Sequence, residues 1–238
     1  MVQPVTAQTT PDTGVLDNAM WESLIGAHRH LSEGTTRARR YLPTISPFVG
    51  VGDLGDPQTW SDLVELIGTG QEVALPVEVT DLPDGWEIVM SGPGVQMVAT
   101  ETLKPRPEPE AIALGADDVP DMLALIERTK PGPFSPETYR LGTYLGIRRE
   151  GRLIAMAGER LHPPGWTEIS AVCTDAEFRG EGLATRLVLA VAHGIYARGE
   201  TPFLHAAADN TNAIELYKHL GFRLRTNITF TLVRTPGN

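Results

Sequence analysis

The stretch that decides the fold is Phe178–Leu187, which reads FRGEGLATRL. It follows a predicted strand and opens a predicted helix. Gly180 and Gly182 leave the backbone amides unobstructed, so several N–H groups can point at one anion at the positive end of the helix. Arg179 and Arg186 add fixed positive charge. The pattern predicts a turn that binds a pyrophosphate group through its backbone, and an ordinary glycine-rich strand–helix turn is the alternative.

Two better-known phosphate loops do not fit this stretch. No Gly-Lys-Ser/Thr triplet follows the glycines, which excludes a Walker loop. The spacing GxGxxG of the dinucleotide fingerprint is also absent.

A second motif lies downstream at Asp209–Phe222, DNTNAIELYKHLGF. Asp209 and Asn210 can cap the helix that follows them. Gly221 ends that helix in the position where a left-handed residue is usual. Tyr217 lies within the helix, either as a functional phenol or as a core aromatic residue with a satisfied hydroxyl.

Together the two motifs resemble those of the GNAT superfamily of acyl-CoA-dependent N-acyltransferases. The family pattern Arg/Gln-x-x-Gly-x-Gly/Ala is matched by Arg179, Gly182 and Ala184. The family pattern Asn-x-x-Ala-x-x-Leu-Tyr-x-x-x-Gly-Phe is matched by Asn210, Ala213, Leu216, Tyr217, Gly221 and Phe222. The motifs stand in the family order, about 30 residues apart, and the resemblance covers about residues 110–236. Within the superfamily, the stretch from PGPF onward looks like the branch of glycine N-acyltransferase-like proteins.

The resemblance implies a donor, acetyl-CoA, and a role for each matching residue. Tyr217 would protonate the departing thiolate, and the amine would attack directly without a covalent enzyme intermediate. The strand before the pyrophosphate turn should splay from Phe203–Ala207 and leave a gap for the pantetheine arm. The residues implied in binding the donor are Val172, Cys173, Thr174, Arg179, Gly180, Glu181, Gly182, Leu183, Ala184, Thr185 and Asn210.

A base must take the proton of the acceptor amine, whose pKa is about 10.4 if it is a lysine. Glu168 lies on the strand where family members often place a base. His205 lies on the opposite strand, where some members place a catalytic glutamate. Each also has a structural interpretation, as an edge carboxylate or a satisfied histidine. Of the two, we expect Glu168→Gln to lose more rate.

Three other residues have either a functional or a purely structural interpretation. Cys173 lies mid-strand without nearby charge to lower its pKa, so we interpret it as a small core residue and not a nucleophile. Phe134 and Tyr139 follow a Pro-rich loop that borders the acceptor in this fold. They could line the acceptor site or pack in the core.

Composition and charge narrow the function classes. The chain has 238 residues, a net charge of −10 and one cysteine, so no disulfide framework and no cysteine-based zinc cluster can form. The first 110 residues hold six basic and sixteen acidic residues, whereas the rest hold fourteen of each. Such a surface disfavours nucleic acid and anionic membranes. The histidines show no ligand spacing, so we expect no metal, and the lack of a signal peptide predicts a cytoplasmic protein.

The predicted architecture is an α+β fold, a mixed and mostly antiparallel sheet with helices on both faces, preceded by a smaller α/β domain. The predicted units are a disordered tail (1–14), an N-terminal α/β domain, which is a candidate degenerate GNAT-like copy (15–102), a Pro-rich linker (103–109) and the acetyltransferase domain (110–236). In the first half we expect a helix at Leu16–Leu31. A hairpin turning at Ser91–Gly94 should join strands Trp86–Met90 and Gly94–Thr100.

The function predicted from these observations is transfer of an acetyl group from acetyl-CoA to a primary amine. The acceptor would be a small molecule or a peptide. Two alternatives from other classes remain: a sensor that binds acyl-CoA without turnover, and an aminoacyl-tRNA-dependent transferase, as some tandem relatives are. The acidic first half and the intact pyrophosphate turn argue against the second.

Overall fold

The structure is a computed structural model that describes residues 11–75, 79 and 82–237. The predicted tail falls for the most part, at residues 1–10, outside the described residues. The α-helices of the described part are α1 (Ala19–Ile25), α2 (Pro57–Ile67), α3 (Val119–Thr129), α4 (Leu183–Ala197) and α5 (Thr211–Leu220). The strands are β1 (Ser32–Gly34), β2 (Ala38–Tyr41), β3 (Val49–Val51), β4 (Glu72–Leu75), β5 (Glu87–Ala99), β6 (Ile112–Leu114), β7 (Tyr144–Arg149), β8 (Arg152–Glu159), β9 (Trp166–Thr174), β10 (Thr201–Ala207) and β11 (Phe222–Arg234).

Eight of these strands form one sheet, in the order β4-β11-β5-β10-β9-β8-β7-β6. Its neighbouring strands are antiparallel except for β9 and β10, which run parallel. Strands β1, β2 and β3 form a separate antiparallel sheet. The predicted fold class, a mixed and mostly antiparallel sheet flanked by helices, is confirmed.

The hairpin predicted around Ser91–Gly94 is wrong, because this stretch lies inside strand β5. Glu87–Ala99 is one continuous strand, and Ser91–Gly94 pairs with β11 instead of turning. Gly94 is needed for close approach, because a Cβ there would lie 2.6 Å from the ring of Phe230. The pairing of β5 with β10 ends at Gly94. The residue before it, Pro93, has no N–H to donate.

The position of β5 also changes the predicted domain boundary. This strand lies between β10 and β11, so a strand from before the Pro-rich linker completes the sheet of the second half. The linker itself is docked, since Arg106 N–H donates to the carbonyl of Leu189 on α4. The segments 15–102 and 110–236 therefore share one sheet.

The two faces of the large sheet are covered by different parts of the chain. Side chains alternate between faces along a strand. On one face, Met97, Ile169 and Leu204 pack against α4 and α5. On the other face, the N-terminal residues cover β5, β10 and β9, and α3 covers the strands next to them. Residues packed on that second face near the N-terminus include Leu16, Met20, Leu24, Val98, Trp166 and Phe203.

The N-terminal segment is broken into shorter pieces than the helix predicted at Leu16–Leu31. A 3-10 turn at Gly14–Asn18 leads into α1, Gly26 ends α1, and a second 3-10 turn covers Arg29–Leu31. Residues within the predicted tail also make contacts, since Trp166 Nε1 donates to the carbonyl of Asp12. In the described part of the chain, no helix has the length and apolar character needed to cross a membrane.

Candidate active site

The candidate active site is a cleft where two central strands separate. Strands β9 and β10 pair from Trp166–Thr201 to Ile169–Leu204, and in the described structure their pairing ends there. Past this point their ends enclose a cleft of about 1000 Å³ that extends to the start of α4 and one side of α5. The expected splay is thus seen, and it creates the gap between the strands.

A bulge turns the end of β9 toward the cleft. Met156 pairs with Cys173 and Gly158 with Ser170, so the single residue between them on β8 faces both Ala171 and Val172. Ala171 has a positive φ of 52°, and a bulge of this kind bends its strand and re-aims the backbone. The stretch Val172–Thr174 lines the cleft. The hydroxyl oxygen of Thr174 is buried without a hydrogen-bond partner in the described structure.

The turn before α4 has the features of an anion site. Gly180 and Gly182 have φ values of 88° and 74°, which favour glycine, and a Cβ on either would meet nothing within 4 Å. Gly182 is the N-cap of α4, and no side chain caps the helix. The first N–H groups of a helix have no partner within it, so they are free to bind an anion. Of the residues predicted for this turn, Arg179, Gly180, Gly182, Leu183, Ala184 and Thr185 line the cleft.

Two charged residues near the turn lie elsewhere than predicted. Glu181 is exposed and is not among the residues that line the cleft. Arg186 points away from the cleft and binds Glu108 at 2.7 Å and also Glu110. It therefore fastens the Pro-rich linker to α4 and supplies no charge to the anion site. Arg179 remains at the cleft wall.

Helix α5 brings two predicted residues to the other side of the cleft. Asn210 caps the helix, because its side-chain oxygen accepts from the N–H of Ala213 at 3.2 Å. Tyr217, one of the cleft-lining residues, is 8% exposed, and burial raises the pKa of its hydroxyl to about 12. The phenol is therefore protonated at neutral pH.

Glu168 does not line the cleft, in contrast to the expectation for a base. Its side chain is 0% exposed and binds Arg160 through two hydrogen bonds, of 2.8 Å to Nε and 2.5 Å to Nη2. Burial alone would raise the pKa of this carboxyl, but the charge of Arg160 and the hydrogen bonds from Arg160 and His205 hold it well below its usual range. A carboxylate so buried and so weakly basic is suited to orienting a neighbour and not to taking a proton from the acceptor.

His205 does line the cleft and is held by Glu168. Its Nδ1 lies 2.8 Å from Oε1 of Glu168, and its Nε2 lies 3.0 Å from the amide nitrogen of Gln96. That amide nitrogen also donates to the carbonyl of Leu16, and the amide oxygen accepts from Arg225. These two bonds fix which way the amide points, so Nε2 accepts a hydrogen bond and Nδ1 carries the proton toward Glu168.

These side chains form a polar row across one face of the sheet. Glu168 is on β9, His205 on β10 and Gln96 on β5, all on the face that the N-terminal residues cover. Arg225 on β11 extends the row. Sequence reasoning missed Arg160, Gln96 and Arg225, because none belongs to a motif and their partners are distant in sequence.

The remaining candidates pack in the core or against it. Cys173 is buried, and burial raises the pKa of its thiol to about 11, which agrees with a core residue and not a nucleophile. Phe134 and Tyr139 pack against the cluster under α3, where Phe134 meets the ring of Tyr144 edge-on at 5.6 Å. From the preceding loop, Lys130 and Pro131 line the cleft instead. The described residues contain no group of three or more His, Cys, Asp or Glu side chains that could hold a metal ion.

Comparison with known proteins defines the class. The family described as FR47-like protein matches residues 144–231, which include the cleft strands and both motifs. The crystal structure of a protein assigned to the GNAT family of acetyltransferases, from Novosphingobium aromaticivorans, is 40% identical. It superposes with a TM-score of 0.84 over 94% of this chain and 99% of its own. The chain belongs to the GNAT family of acetyltransferases.

Two curated relatives are more distant. Mycothiol acetyltransferase from Saccharopolyspora erythraea is 30% identical over 70% of this chain. N-alpha-acetyltransferase RimI from Mycobacterium tuberculosis is 34% identical over 34% of this chain. The matches span about half the length of these relatives, 53% and 51%. The resemblance is thus to the family, and the narrower glycine N-acyltransferase-like branch is not among these matches.

Proposed function

We propose that this protein transfers an acetyl group from acetyl-CoA to a primary amine by direct attack in a ternary complex. The observation that carries the proposal is the uncapped start of α4, with its two positive-φ glycines, at one end of a cleft between diverging strands. Family membership adds acetyl transfer as the reaction class.

The residues of the cleft fit the donor. The free N–H groups at the start of α4 and the side chain of Arg179 would hold the pyrophosphate. The diverging ends of β9 and β10, together with Asn210, would flank the pantetheine arm. The unpartnered hydroxyl of Thr174 would bond a polar group of that arm. When bound, acetyl-CoA supplies an acetyl thioester as the electrophile.

The bulged end of β9 would make the thioester more reactive. Residues Val172–Thr174 line the cleft, and the pairing of β9 with β8 fixes their backbone before any ligand arrives. We propose that N–H groups of this stretch point at the thioester carbonyl. Such preorganised donors stabilise the negative charge that develops on a carbonyl oxygen under attack.

Tyr217 is proposed as the acid. Because its pKa is raised to about 12, the phenol keeps its proton until the thiolate leaves. The same burial makes it a weak acid, so we infer that the proton moves as the carbon–sulfur bond breaks.

His205 is proposed as the proton acceptor, and Glu168 as its positioning residue. His205 lines the cleft, whereas Glu168 has no exposed surface. Glu168 holds the proton on Nδ1, which leaves Nε2 as the basic atom. The Gln96 amide donates to Nε2 in this structure, and the N–H of the acceptor would take that place. This assignment reverses the sequence-based expectation that Glu168 is the base.

The test measures both turnover and donor binding. Thiol release from acetyl-CoA should be measured against a broad panel of amines, and acetyl-CoA binding should be measured by calorimetry. Gly182→Asp should abolish binding, because its carboxylate would occupy the position of the anion. Gly70→Asp is the matched control, since Gly70 also has a positive φ and open space around it, far along the chain from the cleft.

Three outcomes contradict parts of the proposal. Unchanged affinity in Gly182→Asp would remove the anion site. Tight binding without turnover on any amine would favour the acyl-CoA sensor. Retention of tRNA on a filter at both low and high salt would favour the aminoacyl-tRNA-dependent transferase.

A further inference from the structure

A second pocket opens beside His205, and the proposed function does not yet use it. This lateral pocket, of about 340 Å³, lies between residues 16–20 of the N-terminal segment and residues 225–229 of β11. Gln96 and His205 form its inner wall. His205 is shared with the cleft, so a molecule in the lateral pocket would reach the proposed base from the side away from the anion site. Its volume is at the lower end for ligand pockets, about 300–1,000 Å³.

The lateral pocket has a hydrogen-bond acceptor at one end and a cation at the other. The acceptor is Nε2 of His205, and the cation is Arg225. The Gln96 amide spans the two, with its nitrogen 3.0 Å from Nε2 and its oxygen 2.9 Å from Nη1 of Arg225. The pocket wall is therefore complementary to a molecule that presents an N–H group and, close to it, an anionic oxygen.

The charge of Arg225 is incompletely balanced. Its side chain is only 13% exposed, and its one carboxylate partner among the described residues is Asp17, at 2.5 Å. The side chain of Asp17 is 73% exposed, and exposed ion pairs contribute little. The other bonds of Arg225 go to neutral oxygens, those of Gln96 and of the Thr13 carbonyl. Three of its five N–H groups are used, which leaves donors for an anionic group of a ligand.

We propose that the lateral pocket is the acceptor site and that Arg225 selects a small primary amine carrying a carboxylate. Until the acceptor binds, the carboxylate of Asp17 occupies the position of the acceptor's carboxylate. This inference rests on the proposed function. The amine of such a molecule replaces the Gln96 N–H at Nε2 of His205. Its carboxylate displaces the exposed Asp17 from Arg225, and the bonds of Arg225 to Gln96 and to the Thr13 carbonyl are kept.

Asp17 and Arg225 act in opposite directions, which makes the proposal testable. Removing the guanidinium weakens carboxylate-bearing acceptors, because a hydrogen bond to a charged group corresponds to roughly tenfold to hundredfold in affinity. Removing the Asp17 carboxylate removes a competitor and strengthens the same acceptors.

The experiment uses the full chain and three matched sets of amines. The sets are alanine, alanine amide and ethylamine; phenylalanine, its amide and phenethylamine; lysine, its amide and cadaverine. Thiol release gives kcat and KM, and calorimetry in the presence of CoA gives amine affinity without chemistry. The variants are Arg225→Met, Arg225→Lys and Asp17→Asn. The control is Arg223→Met, on the same strand but exposed.

We expect the carboxylate-bearing member of at least one set to be favoured about tenfold or more in kcat/KM. Arg225→Met should abolish that preference through KM, and Arg225→Lys should restore part of it. Asp17→Asn should lower KM for the carboxylate-bearing amine, and Arg223→Met should match the wild type. Acetyl-CoA affinity should be the same in all variants, which also shows that each is folded.

Two results with an active enzyme would overturn the inference. One is equal use of the three members of every set, and equal use of acids and amides in particular would point to peptide N-termini. The other is loss of acetyl-CoA affinity in both Arg225 variants, which would make the residue structural. If no amine is acetylated, calorimetry still shows whether the lateral pocket binds amines. Arg225-dependent binding of the acids supports the pocket while the proposed function fails, and no binding of any amine contradicts the pocket itself.

Discussion

Replacement of Glu168 by glutamine tests how the polar row is held together. The substitution keeps the size of the side chain and removes its charge. Arg160, which is only 17% exposed at its side chain, would then keep a buried positive charge without its carboxylate. One N–H donor of the new amide would also face either the guanidinium or the imidazole N–H. The predicted effect is therefore a loss of folding stability as well as of activity.

The magnitude follows from the burial of the pair. Breaking a buried ion pair by removing one partner costs about 3–5 kcal/mol, because the other charge stays buried and unpaired. For a chain of this size, with a urea m-value of about 2–3 kcal/mol per M, the midpoint should fall by roughly 1–2 M. The matched control is Glu177→Gln, since Glu177 pairs with Arg152 at 3.0 Å but is 69% exposed. An exposed pair of this kind contributes about 0–1 kcal/mol.

Urea unfolding followed by circular dichroism is the assay. A loss in Glu168→Gln no larger than that in Glu177→Gln would refute the reasoning about burial. The double variant Arg160→Met with Glu168→Leu provides a second check, because replacing both charges by apolar groups is often nearly neutral. If the double variant is less stable than Glu168→Gln, the pair itself does not explain the effect.

The same pair predicts a pH dependence. The pKa of Glu168 is lowered in the folded protein from 4.5 to about 2. A carboxyl of lowered pKa contributes stability that is present above its unfolded pKa and is lost as the pH falls through its folded pKa. The wild type should therefore lose stability between about pH 4.5 and 2. Glu168→Gln should lose less over that window, and parallel curves would contradict the assignment.

Three further predictions concern catalysis and folding. Tyr217→Phe should keep acetyl-CoA affinity and lower kcat by about 10²-fold, measured by single-turnover kinetics, and an unchanged chemical step would exclude Tyr217 as the acid. His205→Asn should lower kcat by about 10²–10⁴-fold, and its rate should recover partly at high pH, where more of the amine is free. If His205→Asn loses less rate than a folded Glu168→Gln variant, Glu168 is the base. Deletion of residues 1–107 should yield an unfolded chain by circular dichroism, because it removes the central strand β5. A folded and active fragment would show that β5 is dispensable.

The glycine turn before α4 and the cap of α5 could be predicted from the sequence because both are local. The start of α4 at Leu183, the glycines before it and the cap at Asn210 all depend on residues within a few positions of each other. Backbone conformation and helix-end geometry are set by such neighbours. Local composition gave a wrong prediction where the reason for a residue lies elsewhere in the chain. Ser91–Gly94 has the composition of a turn, but Gly94 serves the packing of Phe230 from another strand.

The surroundings of Glu168 and His205 were decided by tertiary structure. Alternation along a strand shows which residues share a face, but not which strands become neighbours. Glu168 and His205 are 37 positions apart, Gln96 and His205 are 109 apart, and Gln96 and Arg225 are 129 apart. Only insertion of β5 between β10 and β11 brings these side chains into one row. The sequence by itself therefore determined the family and the glycine turn before α4. The three-dimensional pairing of distant strands determined that Glu168 is buried against Arg160 while His205 faces the cleft, because burial and ion pairing arise from long-range contacts.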